Sequence, residues 1–232
     1  MDDKRSNMIK HDKLPSKDDV IVDQIKDQLE EKMQASAMDI NVFCKDGFVH
    51  MSGIVDVLAE KRKADGIARS IDGVQGLENK ITIAMDSNIS DKHMEKEVIN
   101  RLHEGRGSEN LRGIGVKVED GVANLMGTVP VLSDAHKAMS IASQVRGIKD
   151  VVNNTNVANA DRFDDASINS SITQALSTTD LSYKDIVHTV DRGKVMLTGF
   201  VNSRREMETA KEIAMGVEGV RKVVNRLKIR KS

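Results

Sequence analysis

Apolar residues in this chain follow two rhythms that succeed each other in a fixed order. Ile21, Ile25 and Leu29 stand four residues apart and predict an amphipathic helix. Ile40, Val42 and Cys44 then take every second position, and so do Val49, Met51, Gly53 and Val55 after a break at Asp46-Gly47. Two alternating runs around Asp-Gly predict a β-hairpin, because a two-residue type I′ turn needs positive φ at both central residues. Ala64, Ile67, Ala68 and Ile71 predict a second helix, with Gly73 as its left-handed C-cap. Leu77, Asn79, Ile81 and Ile83 predict a closing strand.

The same order returns twice. First-helix positions recur at Val98 and Leu102, then at Ile168, Ile172 and Leu176. The hairpin recurs around Asp120-Gly121 and around Arg192-Gly193, where the first turn residue is less suited to positive φ. The second helix recurs through Ala138, Ile141, Ala142 and Val145, then Ala210, Ile213, Ala214 and Val217. Three glycine series, Gly47/Gly121/Gly193, Gly53/Gly127/Gly199 and Gly73/Gly147/Gly219, repeat at steps of 74 and then 72 residues, and are read as structural positions. Asn79, Asn153 and Asn225 keep the same step on the core-facing phase, where a buried amide is expected to brace a helix end or loop.

A strand–helix–strand crossover is right-handed and makes its strands parallel. The expected fold is therefore α+β: three tandem α-β-β-α-β modules, each a three-stranded mixed sheet with two helices on one face. The modules are placed at residues 18–86, 91–158 and 162–230. Residues 1–17 are polar and aperiodic, and are expected to form a disordered arm. Gly66 interrupts the second helix of repeat one, and His188 takes a core slot that Val42 and Val116 fill elsewhere.

Charge separates repeats that the pattern makes alike. Repeat one has eight basic and fourteen acidic residues, a net −6; repeat two has nine of each; repeat three, counted over 161–232, has thirteen against ten, a net +3. Residues that alternate with the core set point away from the helices. On that open face repeat one carries Phe43, Phe48, His50 and Ile54, and repeat two Val122, Met126 and Val152. Repeat three carries Lys194, Met196, Phe200, Lys222, Val224, Arg226, Lys228 and Arg230. Phe43, Phe48, Phe200 and the cations Lys222, Arg226, Lys228 and Arg230 are the candidates for contact with a lipid surface or a partner protein.

Catalytic and metal chemistry find little support. The six histidines show no His-Glu-x-x-His spacing, so no metal site is expected, nor any cofactor. The glycines at 105, 107, 113 and 115 do not match a P-loop and read as a connector, and no Gly-x-Ser-x-Gly elbow is present. Cys44 is the only cysteine, and its slot matches Val118 and Val190, a core position. Near-neutral charge, 2% aromatic residues and the lack of a basic Gly-x-x-Gly loop argue against nucleic acid. No window suits a membrane span or a secretory leader, so a cytoplasmic location is expected.

The Asp-Gly hairpin, the Gly53-type glycine, the Ala-x-x-Ile-Ala-x-x-Val-x-Gly helix and the Val-x-x-Val-Val-Asn strand together resemble the BON domain, named for bacterial osmotically inducible and nodulation proteins. The resemblance covers nearly all of residues 18–230. It implies a non-enzymatic, stress-associated bacterial binding module that attaches to phospholipid or envelope surfaces; a protein–protein adaptor or self-associating scaffold is the alternative, and small-ion binding a more distant one. The chain departs from OsmY-like members in having three copies rather than two and in showing no export signal.

Overall fold

The computed structural model describes residues 15–84, 89–104, 107–179, 181 and 185–230. The expected arm up to residue 14, part of the first linker, and Gly105-Arg106 of the connector lie outside the described residues. Within the arm's expected range, Ser16 and Lys17 already belong to a helix: Ser16 caps it, accepting the Asp19 N–H at 3.1 Å, and Lys17 is its first residue.

The chain divides into two compact units, Met1–Ala84 and Met85–Ser232. The first holds α1 (Lys17–Met33), β1 (Ile40–Lys45), β2 (Phe48–Val55), α2 (Leu58–Ala68) and β3 (Gly76–Ile83). The second holds the other two repeats. Repeat two runs α3 (Asp91–His103), β4 (Ile114–Glu119), β5 (Val122–Val129), α4 (Leu132–Ser143), β6 (Asp150–Val157). Repeat three runs α5 (Asp165–Ser177), β7 (Ile186–Asp191), β8 (Lys194–Val201), α6 (Arg204–Met215), β9 (Lys222–Ile229). Each sheet follows chain order, with the hairpin antiparallel and the crossover pair parallel, for example Val42↔Met51 and Met51↔Asn79. This is the α+β architecture that the periodicities predict.

The core of each repeat lies between the sheet and its two helices. In repeat one Ile25 and Leu29 of α1, Ala64 and Ala68 of α2, and Val49, Met51 and Ile81 of the sheet are buried together. Ile168, Ile172, Leu197, Ala210, Ala214 and Leu227 do the same in repeat three. The alanines carry no side chain beyond Cβ and let the second helix lie close to the sheet. Inside the second unit, α4 and α6 touch, and Leu132 packs against the core of repeat three.

The hairpin turns are alike in backbone. Asp46, Asp120 and Arg192 have φ of 52°, 51° and 51°, each followed by a positive-φ glycine, so Arg192 adopts the turn despite its side chain. Gly53, Gly127 and Gly199 serve a different need. A methyl group on any of them would meet the carbonyl oxygen of Asp39, Gly113 or Asp185 at about 2 Å, so only glycine admits the chain crossing there.

The second helices end earlier than the apolar stripe predicts. They stop at Ala68, Ser143 and Met215, and Gly73, Gly147 and Gly219 lie four or five residues further on, so they are not C-caps. Between them the backbone continues through tight turns, with Val145 N–H bonded to Ala142 and Ile148 N–H to Val145. Val145 and Val217 remain buried. Apolar spacing reports which side chains are buried, and it held through the turn although the backbone had left the helix.

Candidate binding surface and repeat brace

Each sheet covers its core with one face and leaves the other open. On the first, Phe43 (60% exposed) and Phe48 (54%) stand clear of the core. The Phe43 and His50 ring centroids are 6.2 Å apart. His50 Nδ1 lies 2.8 Å from Glu78 Oε2, and Lys80 Nζ 2.8 Å from Glu78 Oε1. Lys80 and then His50 hold the Glu78 carboxyl below its ordinary range. Phe48 lies over Gly76, where any Cβ would strike the ring at 2.5 Å. Ile54 is also exposed, so repeat one presents an apolar face with one compensated carboxylate.

The open face of repeat two is milder, with Met126 and Val152 exposed and Lys117 paired to Glu119 at 2.9 Å. The Glu119 carboxylate raises the Lys117 ammonium above its usual value.

Repeat three presents cations. The register sets Lys194 beside Lys222, Thr198 beside Arg226, and Phe200 beside Lys228, with Met196 and Val224 at the centre. Phe200 is 49% exposed, and Val187 at the β7 edge is exposed as well. Among the described residues no carboxylate pairs with Lys194, Lys222, Arg226 or Lys228. Arg230 differs from its neighbours: its Nη2 binds Asp185 Oδ2 at 2.7 Å, so that cation is already engaged. The alternation of the sequence thus brings Lys222, Arg226, Lys228 and Phe200 onto one surface, and places Phe43 and Phe48 on another sheet.

Behind the sheets lies a device that the sequence reading missed. Asp18, on the first turn of α1, accepts the backbone N–H of Asp46 at 2.8 Å and of Gly47 at 2.9 Å. Asp91 does the same for Asp120 and Gly121, and Asp165 for Arg192 and Gly193. The opposite side of each turn is tied to the residue just before the last strand, where the backbone N–H groups of Gln75, Lys149 and Arg221 donate to the carbonyls of Gly47, Gly121 and Gly193. The only sequence signal was an aspartate recurring at steps of 73 and 74 residues.

Two of the three repeated asparagines brace a helix as expected, although they are half-buried rather than buried. Asn79 donates to the Lys61 carbonyl of α2 at 3.3 Å and Asn225 to the Met207 carbonyl of α6 at 3.0 Å, while their side-chain oxygens take the N–H groups of Ile81 and Leu227. Asn153 is exposed; its oxygen accepts the Thr155 N–H at 3.0 Å. Cys44 is buried in the core, its thiol donating to Asp18 Oδ1 at 3.3 Å, and burial with that neighbour raises its pKa.

The sequence profile of the BON domain matches residues 17–85, 90–159 and 164–231. The chain belongs to the BON domain family. It is 26% identical over 151 residues to osmotically-inducible protein Y of Escherichia coli (strain K12), an alignment spanning 59% of this chain and 70% of that protein. Among solved structures, CdsD, a structural protein of the type III secretion system of Chlamydia trachomatis, is 13% identical and covers 92% of this chain and 93% of its own at a TM-score of 0.27. The C-terminal domain of CdsD, also 13% identical, covers 91% and 98% at 0.26. These structural likenesses are too slight to bear on fold or function. Among the described residues of this BON protein no helix is long and apolar enough to cross a membrane.

Proposed function

We propose that this three-module BON protein is a non-catalytic, stress-associated binding protein that attaches peripherally to anionic phospholipid at an envelope surface through the open sheet face of its third module. The observation that carries the reading is the apolar centre at Met196, Val224 and Phe200, bordered by Lys194, Lys222, Arg226 and Lys228 with no carboxylate pairing them among the described residues. A flat face of this kind sets its cations at the headgroup level while Phe200 enters the interface. Each well-placed cation contributes about 1 kcal/mol against an anionic leaflet. The family and the osmotically inducible relative support a stress-related role.

Sedimentation with vesicles of anionic or neutral phospholipid, at low and high salt, tests this. Anionic vesicles should carry the protein down at low salt and release it at high salt, since charge attraction is screened. A Lys222/Arg226/Lys228→Gln variant should remain in the supernatant. Equal binding by that variant, or no binding under any condition, rejects the reading. A second reading, attachment to another protein, is favoured by one observation: Phe43, Phe48 and Ile54 are exposed on the open face of repeat one, where the Glu78 carboxylate is already paired with Lys80 and His50. Contact of that kind would persist at high salt.

A further inference from the structure

The three repeats treat one place differently. Where the first helix meets the turn before the last strand, repeat three inserts Phe163: a methyl group on Gly219 would lie 2.7 Å from its Cβ. Repeat two sets Ile89 there, 3.8 Å from the same position on Gly147. Both stand two residues before the aspartate that braces the hairpin, Asp91 or Asp165. Two residues before Asp18 stands Ser16, a polar helix cap. Around Gly73 the one described neighbour within 4 Å of a built Cβ is Ile21, the counterpart of Met94 and Ile168.

The result in repeat one is an open groove of about 660 Å³, lined by Val20, Ile21 and Gly73 and rimmed by Lys17, Asp46, Asp72, Gln24 and Gln75, so that its carboxylates outnumber its one cation. That size falls within the range of pockets that hold small ligands or side chains. Val20 is 41% exposed on its wall. The rim has diverged too. Asp46 and Asp72 correspond to Asp120 and Arg146 in repeat two and to Arg192 and Glu218 in repeat three, so the open groove alone has an acidic pair there. Asp18 also lines it, but its carboxylate is engaged by the hairpin turn.

We propose that this groove docks an extended polypeptide segment of a partner, one presenting a large apolar side chain next to a lysine or arginine. The apolar side chain takes the place that Phe163 and Ile89 occupy in their own repeats. The neighbouring cation meets Asp46 and Asp72. The groove shares no lining residue with the open sheet faces.

The test is a titration of the full ¹⁵N- and methyl-labelled chain with acetyl-Lys-Phe-Lys-amide, followed by NMR. Saturable shifts in the millimolar range are expected at the Gly47 and Gly73 amides and the Val20 and Ile21 methyls. Acetyl-Lys-Ser-Lys-amide and acetyl-Glu-Phe-Glu-amide should each bind at least tenfold more weakly. V20K, at an exposed helix position, should abolish the shifts while leaving the thermal midpoint within about 2 °C. D46N/D72N should weaken binding severalfold, asparagine being tolerated at the positive φ of residue 46. Absence of saturable shifts, equal response to the serine peptide, shifts confined to a sheet face, or blockage of the groove by the chain's own residues 1–14 would overturn the proposal.

Discussion

The carboxylate of Asp18 accepts the backbone N–H of Gly47 at 2.9 Å and so ties the start of one helix to the tip of a hairpin 29 residues away. Those bonds, to Gly47 and then Asp46, lower the Asp18 pKa below its ordinary value. A carboxylate with a depressed folded-state pKa stabilises the fold above its unfolded pKa, about 3.9, and that contribution is lost as pH falls through the folded value. Unit one should therefore lose denaturant resistance between pH 5 and pH 2 (about that window). D18N should show a smaller acid-induced decrease in midpoint than the wild type; an unchanged decrease would assign the acid sensitivity to other groups.

The same brace in repeat three involves Asp165, which is half-buried and bonds Arg192 and Gly193 at 2.9 Å each. D165A leaves the buried Gly193 N–H without its acceptor. A loss of about 1–3 kcal/mol is expected, the usual cost of stranding such a donor. Urea unfolding at neutral pH measures it, and a change under 0.5 kcal/mol (roughly the scatter of neutral surface substitutions) would mean that water replaces the carboxylate.

Much of this molecule was legible in its sequence, and the limits have physical causes. Alternation located the hairpins and put Phe43, Phe48 and Phe200 on open faces, because a strand has only two sides. Helix ends were less visible, since Val145 and Val217 stay buried whether the backbone is helical or turned. The brace from Asp18 to Gly47 was invisible because a polar residue on a first helical turn is also an ordinary cap. Its recurrence at Asp91 and Asp165 was the available clue. The groove in repeat one turned on Ser16 standing where Phe163 and Ile89 stand, a difference that acquires meaning only once the helix starts are superposed.

Gly66 offers a stabilising substitution. It lies within α2, and a Cβ built there meets no atom within 4 Å. Alanine should therefore reduce the freedom of the unfolded chain without strain in the folded one, raising stability by about 0.5–1 kcal/mol. Denaturant unfolding of G66A against wild type decides it; a loss of stability would show that α2 needs the glycine for a reason other than space.

The contact between α4 and α6 in the second unit should respond to mild acid. Desolvation, and secondly the Lys211 ammonium, lower the pKa of His136 below 6.5. A histidine with a depressed folded-state pKa binds fewer protons folded than unfolded. Stability is then full above the unfolded value of about 6.5 and declines as pH falls towards the folded one. H136Q should flatten the decline of thermal midpoint between about pH 7 and pH 5. A decline of the same slope in the variant would exclude His136 as its source.

His188 occupies the core-facing phase of β7, where the other repeats place Val42 and Val116. Its Nε2 lies 3.2 Å from Thr173 Oγ1 and 3.3 Å from the Asn169 carbonyl. Its Nδ1 is buried and has no hydrogen-bond partner among the described residues. Replacing the ring by valine removes that unsatisfied atom and restores the residue type of the sister repeats. Thr173 keeps its bond to the Asn169 carbonyl at 2.9 Å, so the loss of Nε2 strands no hydroxyl. H188V should gain about 1 kcal/mol, the desolvation cost of an unpaired polar group exceeding the value of the bonds lost. Equilibrium unfolding in urea checks the gain, and a destabilised variant would mean that the imidazole fills volume that valine leaves empty.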